Sequence, residues 1–72
     1  MNKAGISAMH KLMARAKKNG TKLVLGFDPG NGGWVVGFES IHGPGFDDQT
    51  LCEGLPDLGR SMTVAMQRVK NS

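Results

Sequence analysis

The stretch from Gly26 to Phe38 reads "GFDPGNGGWVVGF", with five glycines, one aspartate and one asparagine in thirteen positions beside the chain's sole tryptophan. Three structures use such a stretch: a phosphate cradle, a metal loop and the bend of a hairpin. A Walker-type loop needs Gly-Lys-Ser/Thr running into a helix, whereas Gly32-Gly33 runs into Trp34 and an alternating apolar segment. A dinucleotide fingerprint needs a following helix whose N-terminus meets the pyrophosphate, and no helical pattern follows. A calcium loop needs more oxygens than Asp28 and Asn31 supply, and a closing glutamate. Glycine at positive backbone angles is what tight turns use. The bend is therefore the reading adopted.

Working outward from the bend, Leu23, Leu25 and Phe27 alternate with Lys22, Val24 and Gly26. Beyond it, Trp34, Val36 and Phe38 alternate with Val35, Gly37 and Glu39. Period two on both sides predicts an antiparallel hairpin over about 21–40. Pro29-Gly30 suits a type II turn and Asn31-Gly32 a type I′ turn. With Asn31-Gly32 as the connection, Phe27 faces Val36, Leu25 faces Phe38 and Leu23 faces Ser40. With Pro29-Gly30 the pairing moves but the apolar faces stay matched. A register placing Phe27 opposite Val35 would split the apolar sets between faces and is rejected.

Before the hairpin, Ile6, Met9, Met13 and Ala16 step by three and four, with Leu12 widening the stripe. Asn2 or Ser7 can cap the start, and Gly20 suits the left-handed residue after the end, so a helix is predicted at about 4–19. After the hairpin, "SIHGPGFDDQ" is interrupted by Gly43-Pro44-Gly45, and 41–47 is read as irregular. Asp47 or Asp48 then resembles a helix cap. Apolar residues at 51, 55, 58, 62, 65 and 69 keep a four-three rhythm through Pro56, which lacks the donor a helix interior needs. A helix is expected over about 56–70, with a kinked start near 48 as the alternative. The expected architecture is a single α+β domain of order α-β-β-α. Its core is assigned to Ile6, Met9, Met13, Leu25, Phe27, Val36, Phe38, Leu58, Met62 and Val69. The second hairpin face, with Lys22, Val24, Gly26, Val35, Gly37 and Glu39, is left flat and weakly apolar.

Seventy-two residues suffice for one domain with a thin core. Cys52 is the sole cysteine, so no disulfide forms within one chain, and no apolar run suits a signal peptide or membrane span. A soluble, cytoplasmic protein without membrane contact is expected. The net charge of +3 conceals a partition along the chain. Residues 1–27 hold six cations and no acid, residues 28–57 six acids and no cation, and residues 58–72 three cations and no acid.

Among reactive side chains, His42 with Cys52 would be a nucleophile pair, and His42, Asp47, Asp48 and Cys52 a mixed metal set. Neither has a recognised spacing, and a cysteine within an apolar stripe is ordinarily a small core residue. No catalysis, metal or cofactor is expected. Lys11, Arg15 and Lys18 share one helix face, with Lys22 just beyond, a pattern that either binds phosphates or is merely solvated. The acidic centre opposes a nucleic-acid partner unless it is turned away. A protein partner is preferred, met through Trp34, Val35, Glu39, Asp47 and Asp48, because interface hot spots favour large aromatics ringed by polar groups. The open edges of a two-stranded sheet also predict a homodimer.

The basic opening helix, "GGWVVGFES" and "LCEGLPDLGRSMTVAM" together resemble small accessory proteins carried by phages and prophages. The resemblance covers most of the chain. It implies a regulator or inhibitor that binds a host or phage component, as inhibitors of host defence do, and it assigns no site residue.

Overall fold

The computed structural model describes residues 1–42 and 48–71. Helix α1 spans Lys3–Asn19 and strands β1 and β2 span Thr21–Asp28 and Gly33–Ser40. Strand β3 spans Gln49–Leu55 and helix α2 spans Leu58–Lys70. The strands form one antiparallel sheet in the order β1-β2-β3. Both helices pack on the same face of it and against each other. The α+β class holds, with three strands in place of two.

Each helix starts where a side chain can satisfy its first amides. Asn2 accepts from the Gly5 amide at 2.8 Å, and Asp57 accepts from the Arg60 amide at 2.8 Å. Gly20, at φ 69°, closes α1 in the left-handed region. Ser7 is inside α1 and caps nothing. Pro56 falls just before the cap of α2, where its missing amide hydrogen costs no helical bond.

The hairpin pairs Phe27 with Trp34, Leu25 with Val36, Leu23 with Phe38 and Thr21 with Ser40. Neither two-residue turn forms. A short 3-10 turn over Pro29–Asn31, with Gly32 left-handed at φ 89°, makes the connection. The register lies midway between the two expected ones, an even step from each, so the apolar faces remain matched.

The kinked helix from 48 is overturned by β3. Leu51 and Leu55, four apart, fit a helical stripe, but an even spacing also fits one face of a strand. Two register shifts let β3 follow β2: Gly37 pairs with Thr50 but Val36 with Cys52, and Val35 pairs with Glu53 but Trp34 with Leu55. The extra residues are Leu51 and Gly54. At the first bulge Leu51 and Cys52 both enter the core, 1% and 5% exposed. At the second, Gly54 takes φ 85°, a conformation a side chain would strain.

The core comprises Ala8, Leu12, Ala16, Val36, Phe38, Leu51, Cys52, Met62, Ala65 and Val69. Val36, Phe38, Met62 and Val69 are where the sequence places them, and Met9 and Leu58 pack half-buried at its margin. Ile6, Met13, Leu25 and Phe27 do not belong to it; they are 42%, 53%, 39% and 57% exposed. The buried stripe of α1 is Gly5, Ala8, Leu12 and Ala16, rotated from the expected one. Small residues occupy it because α1 lies close on α2: a β-carbon on Gly5 would fall 2.7 Å from the Gly59 α-carbon. Leu25 and Phe27 are on the helix-facing side of β1, but no helix covers them.

That close approach predicts a reversal of the usual propensity rule. Gly5→Ala gains roughly 1 kcal/mol of helix propensity. It loses roughly 1–3 kcal/mol by pushing the helices apart. The variant should melt below the parent in a thermal scan; an increase would show that the contact yields freely.

Candidate functional site

The sequence's separation of charge becomes a separation in space. The helices bring the basic first and last blocks of the chain into one layer. Lys3, Lys11, Arg15, Lys17, Lys18, Arg60, Arg68 and Lys70 lie on α1 and α2, all exposed, and neither helix carries an acid. On the strands and just before β3 lie Asp28, Glu39, Asp48 and Glu53, against Lys22 alone. Of the described acids, Asp57 stands at the start of α2, and Glu53 lines a cleft between β3 and α2 with Arg60 and Arg68.

Among the described residues, nothing covers the sheet face opposite the helices. Val24, Gly26, Val35 and Gly37 form its floor, and together with Glu39, Asp48 and Thr50 they line a shallow depression of about 200 Å³. The glycines keep that floor flat. Lys22 and Glu39 pair across β1 and β2 at 3.4 Å. Glu53 is opposite Val35 on this same face, and it accepts from the Asn31 side chain at 3.1 Å. A low apolar floor results, rimmed by Glu39, Asp48 and Glu53, with Lys22 paired to Glu39.

Val35, Glu39 and Asp48 of the expected partner-binding set therefore meet on one surface. Trp34 does not join them. It points to the helix-facing side, half-buried, with its ring edge-on to Phe27 at 5.3 Å. Asp47 lies outside the described residues. Asp48 caps no helix; its Oδ1 accepts from the Ser40 amide at 3.1 Å and ties the start of β3 to the end of β2. Glu53 is not legible as a site residue while 49–55 has no strand assignment; its pairing with Val35 follows once that segment is a strand.

Lys11 and Lys70 line one groove between α1 and α2, together with Ser7, Thr63 and Gln67, of about 240 Å³. Arg15 and Lys18 are exposed on α1, whereas Lys22 sits across the sheet paired to Glu39. The basic set of the sequence is thereby divided. Cys52 is buried in the core and His42 is exposed, and among the described residues no three of His, Cys, Asp and Glu gather as metal ligands would. Among those residues no helix is long and apolar enough to cross a membrane.

Compared with known proteins, the chain matches no family model, no curated protein and no solved structure.

Asp48 allows a structural role to be separated from a binding one. Asp48→Ala leaves the Ser40 amide without this acceptor and should cost roughly 1–3 kcal/mol. Asp48→Asn keeps an acceptor oxygen and should melt near the parent. Equal melting of all three proteins would remove the proposed tie.

Proposed function

We propose that this chain is a small protein-binding module, acting by docking and not by catalysis, whose contact surface is the uncovered sheet face. The partner is a basic protein surface. The observation that carries the reading is the rim of Glu39, Asp48 and Glu53 around the apolar floor of Val24 and Val35. Shape and charge there suit an apolar contact ringed by Lys or Arg, the arrangement in which charge steers encounter and desolvated apolar area holds the complex. Trp34 has no part in this surface. Together with the resemblance to phage and prophage accessory proteins, the reading makes the chain a regulator or inhibitor in the cytoplasm that occupies a basic surface of a host or phage complex.

A second reading has its own support. Neither α1 nor α2 carries an acid, and their eight exposed cations form a layer that a nucleic-acid backbone can approach. The protein reading is preferred because neither α1 nor α2 carries a Phe, Trp or Tyr among those cations for base stacking.

Two sets of substitutions distinguish the readings. Val35→Arg with Glu39→Lys and Glu53→Lys should abolish capture of a basic partner from host extract while the circular dichroism spectrum is kept. Arg15→Glu with Lys18→Glu should leave that capture intact. A gel shift with mixed DNA and RNA at near-physiological salt should show no tight complex. Tight, salt-sensitive retardation lost in the Arg15→Glu/Lys18→Glu protein would reverse the assignment.

A further inference from the structure

We propose that two copies of this chain join through the outer edge of β1, antiparallel and centred on Leu25, into one continuous six-stranded sheet. This does not rest on the docking role of the outer sheet face.

The two edges of the sheet are built differently. The β3 edge carries two bulges and the charge of Glu53, and Pro56 follows it, all devices that discourage strand addition. The β1 edge carries no bulge, and its two charges, Lys22 and Asp28, lie toward its ends, with Pro29 beyond them. Its eight residues pair with β2 in a single unbroken register, without bulge or proline. Beside this open edge lies the apolar surface that the fold leaves uncovered: Met13, Leu25 and Phe27. Met9, Met13, Leu23 and Leu25 line a groove of about 470 Å³ between α1 and β1.

The sequence of β1 selects one register. A two-fold axis perpendicular to the sheet pairs residues that share a face, so only registers differing by two are open. Two of them overlap most of the strand. In one, Val24 is on the axis, Lys22 faces the partner's Gly26 and Asp28 falls beyond the strand. In the other, Leu25 is on the axis, Leu23 faces the partner's Phe27, Val24 faces the partner's Gly26 and Lys22 faces the partner's Asp28. The second places both charged residues of β1 opposite their complements, twice by symmetry. Lys22 then bridges Glu39 of its own chain and the partner's Asp28. Asp28 uses Oδ1 on the Gly30 amide, which leaves Oδ2 for this contact. On the helix-facing side, the partner's Phe27 enters opposite Leu23, at the apolar groove. Phe27, the most exposed aromatic among the described residues, and the open groove thus fill each other.

Disulfide trapping tests the edge and the register together. Across an antiparallel pair, directly opposed β-carbons stand about 4.5–5.5 Å apart and diagonal neighbours about 7–8 Å. Only the directly opposed pair suits a disulfide. In protein that sediments as a dimer at micromolar concentration, Leu25→Cys should form a covalent dimer on mild oxidation and Val24→Cys should not. Leu25→Lys sets two ammonium groups on the axis and should sediment as a monomer with an unchanged far-ultraviolet spectrum. A monomeric parent protein, trapping by Val24→Cys in place of Leu25→Cys, or a Leu25→Lys protein that remains dimeric would each overturn the proposal.

Discussion

Strand β2 must be paired along both edges while its helix-facing side is buried, and the rest of the fold follows from that requirement. Val36 is fully buried and Phe38 nearly so. A strand in that position has no water for its backbone amides, so a neighbour is needed on each side. The hairpin supplies β1, and β3 must supply the other edge from a segment whose apolar residues were not spaced for it. Two bulges reconcile the segment with β2, one of them placing Leu51 and Cys52 together in the core and the other turning on Gly54. With three strands closed in this way, two short helices suffice as a lid, provided that they lie close together. Gly5 and Gly59 permit that approach.

The same arrangement sorts the charges. Because α1 and α2 share one layer, cations from opposite ends of the chain stand together, while Asp28, Glu39, Asp48 and Glu53 go with the strands and Asp57 caps α2. Each layer then has a face suited to a different kind of contact. The sheet offers a flat apolar floor with carboxylates around it, the helices offer a solvated basic surface, and the β1 margin offers uncovered apolar side chains. Surface ion pairs such as Lys22–Glu39 add little to stability at their exposure. The value of this charge pattern lies in orienting encounters.

The hairpin was legible in the sequence because period-two alternation leaves its faces invariant to an even shift in register. Helix α2 was legible from Asp57 onward for the same kind of reason: a cap and a stripe agree. Segment 49–55 was not. Leu51 and Leu55 satisfy both periods, and the bulge at Leu51 removes the alternation that would identify a strand. Glycine at 54 followed by proline at 56 argues against a helix interior, and that signal was outweighed by the stripe. Helix α1 is legible along the chain and only in part in rotation: Leu12 and Ala16 of the expected stripe are buried, whereas Ile6 and Met13 are exposed. The inner face is made of Gly5, Ala8, Leu12 and Ala16: Leu12 fills the core, and Gly5 permits the close approach to α2. Of the candidate site, Val35 and Glu39 were readable from strand alternation. Glu53 required β3, and the union of the two basic blocks required the packing of α1 on α2, which no local pattern encodes.

The pairing of β2 with β3 carries the whole account, and nuclear magnetic resonance tests it directly. Cross-strand Overhauser contacts between Gly37 and Thr50 and between Val36 and Cys52 are expected, with extended-chain chemical shifts over 49–55. Helical chemical shifts and contacts three residues apart through 49–55, with no contact from that segment to β2, would contradict it.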